Sequence, residues 1–187
     1  RILKHIAGHQ ITVHCTVTRQ QAQRAGYLDE FVAYWQDNPH TKSIWVSLYT
    51  PQRGEISAER LTRDNRRQVI ADLRRLRASF PKLQMLDGIL NVYAEPPGSP
   101  DECIFARTTR CLSSDLERTI SPCQFGGNPD CNNCGCIASA GLEAIGRHRL
   151  RGVIPVGRIF DASVRVGRTV AHLRDGSLRR DFDAAAV

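Results

Sequence analysis

From Gln10 to Thr18 the chain alternates apolar and polar positions at period two and is rich in β-branched residues (Gln-Ile-Thr-Val-His-Cys-Thr-Val-Thr), a pattern that predicts a strand. Gly26 to Asp37 changes period: Leu28, Phe31, Val32 and Trp35 fall at i, i+3, i+4 and i+7, one apolar stripe along a helix that Asn38-Pro39 ends. Ser43 to Tyr49 (Ser-Ile-Trp-Val-Ser-Leu-Tyr) reads as a second strand, closed by a turn at Pro51 and Gly54. Ser57 is placed to accept from the first-turn amides of a long helix running to about Ser79, with Leu61, Val69, Ile70, Leu73 and Leu76 inward and arginines outward, until Pro81 stops it. Strand, helix, strand, long helix is the order of βαβ units, because parallel neighbours need a crossover of about a dozen residues or more. The first half therefore reads as α/β with a parallel sheet.

Beyond Pro81 the pattern is more broken. Leu83 to Tyr93 suits a short strand or a short helix, and Glu95-Pro96-Pro97-Gly98-Ser99-Pro100 continues neither, which puts a boundary there. Leu112 to Pro122 reads as a short hairpin and Phe125 to Asp130 as a loop. Ile137 to about Leu150 has helical character, its small Ala138, Ser139, Ala140 and Gly141 allowing close approach. Val153 to Phe160 reads as a strand restricted by Pro155, and Ser163 to Leu173 as a helix. The expected regions are 1–98, 99–150 and 151–187, with no internal repeat and no low-complexity segment.

Composition narrows the class. At 187 residues, 41% hydrophobic and 24% charged, the chain has ordinary globular usage and the length of one domain, or of one domain with an appendage. No apolar run approaches the roughly 20 residues that cross a bilayer. Arg1 to Ala7 reads as mid-helix, without the apolar centre of a signal peptide, so the chain is expected to be a piece of a longer, cytoplasmic protein. The 26 Lys and Arg against 19 Asp and Glu give a net charge of +7, but the stretch 82–140 is acidic between basic flanks. The arginines of the long helix (Arg60, Arg63, Arg66, Arg67, Arg74, Arg75, Arg77) suggest a nucleic-acid surface, yet no aromatics interleave with them for base stacking, so they read as a solvated face. The six histidines stand isolated.

That acidic stretch holds six of the seven cysteines: Cys103, Cys111, Cys123, Cys131, Cys134 and Cys136, with Cys15 alone outside it. An odd total gathered in one cluster is unlike the framework of a disulfide-stapled domain and points to metal or redox chemistry. The densest run is Cys123-Gln-Phe-Gly-Gly-Asn-Pro-Asp-Cys131-Asn-Asn-Cys134-Gly-Cys136, where glycine and proline permit the tight turns that aim backbone amides at sulfur. Three chemistries fit it. An iron-sulfur cluster tolerates irregular spacing because its irons stand apart; a structural zinc site favours two Cys-x2-Cys pairs, and one is present; inert buried thiols or disulfides need no metal. Cys103, eight residues before Cys111, reads as a packed thiol ahead of a ligand, and Cys15 as a small buried hydrophobe.

The run Thr109-Arg-Cys111-Leu-Ser-Ser-Asp-Leu-Glu-Arg-Thr-Ile-Ser-Pro122-Cys123-Gln-Phe-Gly-Gly127 resembles the auxiliary-cluster segment of radical S-adenosylmethionine enzymes of the SPASM/twitch type. There a cysteine opens a hairpin, a Pro-Cys closes it and a further cysteine group follows. Val13 to Arg19 resembles the fifth strand of the partial (β/α)6 barrel of that family and Ile44 to Pro51 the sixth. The resemblance covers about residues 1–140. It departs from the usual pattern at Glu117, where the hairpin turn commonly has glycine, and in the late cysteine spacing, which implies one auxiliary cluster rather than two. The Cys-x3-Cys-x2-Cys motif of the radical-generating cluster does not occur in these residues, so the resemblance places it on a preceding half.

The resemblance implies the second half of a partial barrel followed by a small cysteine-rich region holding an auxiliary [4Fe-4S] cluster. It implies Cys111, Cys123, Cys131 and Cys134 as ligands, with Cys136 as the substitute for any of them. It also implies S-adenosylmethionine as cofactor, a small-molecule or peptide substrate and a reductant such as a flavodoxin or ferredoxin. Arg19 stands just past a strand's carboxyl end, where α/β folds place ligand contacts, and is placed to pair with the cofactor's carboxylate, with Thr16 or Thr18 reaching the ribose; the plainer reading of Arg19 is a surface ion pair. The alternative function is a zinc-stabilised, non-catalytic binding module.

Overall fold

The computed structural model describes residues 8–174, so the helical reading of Arg1 to Ala7 lies outside the described residues. Strand β1 (Ile11–Val17) is followed by α1 (Arg19–Gln23) and α2 (Tyr27–Asp37), which carry the chain back to β2 (Thr41–Leu48). The two strands are parallel, with Val13 opposite Ile44, Cys15 opposite Val46 and Val17 opposite Leu48, as a βαβ unit requires. A third parallel element adds to β2: Ile44 N–H donates to Lys82 O at 2.7 Å and Gln84 N–H to Ile44 O at 2.9 Å, a bridge centred on Leu83. Leu83 to Tyr93 thus resolves into an extended residue followed by helix α4 (Asp87–Ala94). Each sheet among the described residues has two named strands, and none closes into a barrel.

Helix α3 (Arg63–Ser79) begins later than Ser57. Thr62 caps it instead, accepting from Asn65 N–H at 3.1 Å while the Asn65 side chain returns to Thr62, a reciprocal arrangement that Ser57 lacks a partner to make. Val69, Ile70, Leu73 and Leu76 of α3 meet Cys15, Val17, Ile44, Val46 and Leu48 of the sheet, joined by Leu28 and Val32 of α2 and by Ile89, Leu90 and Tyr93 of α4. Burying a side chain of that size contributes about 1.5–3 kcal/mol, so this layer carries the fold.

Period two sends the other strand positions to the opposite face. Thr12, His14 and Thr16 of β1 are exposed there beside Ser43, Trp45 and Ser47 of β2, and the face is laced by Thr12 Oγ1 to Ser43 Oγ at 2.9 Å and His14 Nε2 to Ser47 Oγ at 2.7 Å.

After the proline-rich turn, α5 (Ile104–Thr108), the hairpin β3 (Cys111–Leu112) and β4 (Thr119–Ile120), and a 3-10 turn at Cys131–Asn133 lead into α6 (Ile137–Arg147). Helix α6 returns to pack on α4, Ala140 joining the core and Ala144 standing 3.1 Å from where a Cβ on Gly88 would lie. Its small residues make that approach possible. Leu150 belongs to a second short hairpin, β5 (Arg149–Leu150) with β6 (Ile154–Pro155). The strand expected over Val153 to Phe160 is limited to β6, since Val156 O already accepts from Ile159 N–H at 2.9 Å and opens α7 (Gly157–Arg174). No helix among the described residues is long and apolar enough to cross a membrane.

Candidate metal centre

The cysteine segment is seated on the carboxyl end of β2 and the loop after it. Leu48 N–H donates to Gly135 O at 3.0 Å, and Gly135 N–H donates to Thr50 Oγ1 at 2.8 Å. Asp130 N–H donates to Pro51 O and Arg53 N–H to Asn128 O, each at 2.8 Å, while Arg60 pairs with the Asp130 carboxylate at 2.7 Å. Gly135 is required there: a Cβ at that position would fall 2.1 Å from Leu48 O. The carboxyl end of parallel strands is where α/β folds gather ligand-binding groups, and here it receives thiols.

Five of them, Cys103, Cys123, Cys131, Cys134 and Cys136, line one cavity of about 30 Å³. Thr50, Ser139, Gln124, Phe105, Phe125 and prolines complete the wall, with no charged side chain in it. All seven cysteines are free thiols. Cys136 caps α6, accepting from Ser139 N–H at 3.4 Å and from Gln124 Nε2 at 2.9 Å, and Cys103 Sγ lies 3.1 Å from Ser139 Oγ. Polar hydrogens aimed at sulfur in this way stabilise the thiolate and tune a metal held by it.

Burial dominates the acidity of the group. It pushes the Cys131 and Cys136 thiols each up to about 11, with the neighbouring Cys134 and Cys123 charges adding to the rise. Cys134 and Cys123 are also raised by burial, against backbone amides of Cys136 and Phe125 that pull the other way. Raised in this way the thiols stay protonated at neutral pH, and a metal would bind by displacing their protons.

The donor set is all sulfur, held around a cavity and exceeding four, which suits an iron-sulfur cluster whose irons meet ligands arriving from separate turns. A single zinc ion would draw its sulfurs to about 2.3 Å from one point. Among the described residues no three His, Cys, Asp or Glu side chains are drawn together as a metal-holding group, so the thiols line the cavity without converging on one point.

The structure brings Cys123, Cys131, Cys134 and Cys136 together. Cys111, on β3, stands outside the lining, half-buried, and is near enough that its charge raises Cys123. Cys103, expected as a packed thiol, is on the lining because it precedes the first turn of α5, which abuts α6; no spacing in the sequence ties it to the later cysteines. Cys15 is buried in the core beside Tyr27, on the helix-covered face of β1 two residues before its carboxyl end.

Thr16 and Arg19 are exposed at the carboxyl end of β1, and no carboxylate pairs with Arg19 among the described residues. The Thr18 hydroxyl is engaged, donating to Gln21 Oε1 at 3.2 Å. Sequence reasoning also missed Arg66, taken for part of a solvated row: it is 8% exposed and reaches the cysteine segment from α3. Its position on the apolar stripe, three before Val69 and four before Ile70, was the available signal.

No protein-family model, curated protein or solved structure matches this chain.

Proposed function

We propose that this chain is the auxiliary-cluster end of a radical S-adenosylmethionine enzyme, and that the thiol-lined cavity holds one [4Fe-4S] cluster. The observation that carries the reading is the convergence of five free thiols on one uncharged cavity, seated at the carboxyl end of a parallel strand. When bound there, such a cluster supplies one-electron transfer or an open coordination site for substrate.

The chain's own residues do the holding. Cys123, Cys131 and Cys134 supply three thiolates, and the two other thiols of the lining, Cys103 and Cys136, compete for the fourth position. Gln124 and Ser139 place polar groups against the sulfurs, Thr50 holds the Gly135 amide between Cys134 and Cys136, and Phe105 and Phe125 give the lining its apolar wall. The second face of β1 and β2 supports the barrel reading: Thr12, His14 and Trp45 line a cleft of about 930 Å³ between the sheet and residues of α4 and α6, with Thr16 exposed on the same face, where a barrel has its interior. In that reading Arg19 pairs with the carboxylate of S-adenosylmethionine and Thr16 reaches its ribose. Thr18 contributes by fixing the turn between them.

Anaerobic reconstitution with iron and sulfide tests the reading. The expected product is brown, carries about four iron and about four sulfide per chain, and bleaches with dithionite. A colourless protein with one zinc per chain would replace this reading with that of a zinc-stabilised binding module.

A further inference from the structure

Arg66 is the one guanidinium in the core of the described residues, and its surroundings are unusual for a buried cation. Nε donates to Tyr93 O at 2.8 Å, Nη1 to Asn133 O at 3.0 Å and Nη2 to Cys134 O at 2.5 Å. Every partner is a neutral carbonyl, and no carboxylate forms a salt bridge with it. The nearest carboxylate on the cysteine segment, Asp130, is paired at 2.7 Å with Arg60. A cation buried against dipoles alone is costly, and buried cations are ordinarily paired with a negative charge. What lies just past those carbonyls is the Cys134 thiol and the cavity it lines.

We propose that Arg66 is the counter-charge of the thiolate centre: it clamps the Asn133–Cys134 backbone and sets the reduction potential of whatever iron-sulfur centre those thiolates hold. This rests on the cluster reading above. A cluster ligated by four thiolates is anionic, and taking up one electron adds a further negative charge with no bond made or broken. Arg66, 8% exposed, stabilises that added charge in a largely buried setting, so it favours the reduced state and raises the potential. The fork spans two successive carbonyls, which a lysine cannot do, but a lysine retains the charge.

The experiment is anaerobic reconstitution of the wild-type chain, Arg66→Met and Arg66→Lys, followed by iron analysis and a dithionite redox titration read by EPR. Arg66→Met at wild-type iron loading is expected to shift to a more negative midpoint potential, with Arg66→Lys near wild type. An Arg66→Met potential equal to wild type overturns the assignment. Should Arg66→Met bind no iron, Arg66→Lys decides: wild-type potential supports the counter-charge, and a lowered potential or lost iron overturns it. Failure of the wild type itself to bind iron would instead overturn the cluster reading.

Discussion

Gly135 shows how much a single hydrogen atom in place of a side chain decides here. With Leu48 O 2.1 Å from the position of an added Cβ, Gly135→Ala forces the loop off the end of β2 and displaces Cys134 and Cys136 on either side of it. The expected cost is about 1–3 kcal/mol, seen as a lowered Tm, together with loss of reconstituted iron. An alanine variant that keeps both would show that the seat does not organise the thiols. The cysteines divide in the same spirit. Cys111→Ala, outside the lining, is expected to keep wild-type iron, whereas Cys134→Ala and the double variant Cys103→Ala/Cys136→Ala lose it. Iron loss in Cys111→Ala would return that residue to the ligand set the hairpin pattern implies. Arg19→Ala should leave Tm unchanged, since its side chain is exposed and pairs with no carboxylate among the described residues. Binding of S-adenosylmethionine, measured by calorimetry, should weaken roughly tenfold or more with loss of one charge-assisted pair; unchanged binding removes Arg19 from the cofactor site.

At the scale of elements, the loop between Thr50 and Arg60 is the clamp that the cysteine segment needs. Glu55 organises it, accepting from Tyr49 Oη at 2.6 Å and from Gln52 N–H at 2.7 Å. With the Ser57 hydroxyl nearby, the Tyr49 hydroxyl and the Gln52 amide that donate to it hold its carboxyl at about 2, below the ordinary 4.5. Because the folded-state value is depressed, the stabilisation is present above the ordinary value and lost as pH falls through about 2. Glu55→Gln is therefore expected to flatten the acid dependence of Tm below about pH 4.5, and an unchanged acid profile would contradict the role.

The elements that period alone predicts, β1, α2 and β2, form close to their expected bounds, because each buries one continuous face in a core large enough to enforce it. Local choices were harder to read. Ser57 and Thr62 are equally good caps by type, and the Asn65 side chain decides between them. Leu83 is extended only because β2 offers it a free edge. The gathering of the late cysteines was legible from spacing, but the place of Cys103 on the same lining and the contact of Arg66 with the Asn133–Cys134 backbone depend on α5 meeting α6 and on α3 passing beneath the loop, which are distant in sequence.

Across the whole molecule, α2 and α3 cover one face of a parallel sheet, a cleft lined by Thr12, His14 and Trp45 and by residues of α4 and α6 lies over the other, and the thiols gather at its carboxyl end. The two features lie on adjoining surfaces, as they must if the cavity serves chemistry conducted over the sheet. Iron K-edge X-ray absorption of the anaerobically reconstituted chain addresses the central claim, that these sulfurs surround one polynuclear centre. The account predicts a first shell of sulfur around iron and, beyond it, a second shell of iron. A sulfur shell with no iron behind it, or thiols recovered as disulfide pairs with no bound metal, would contradict it.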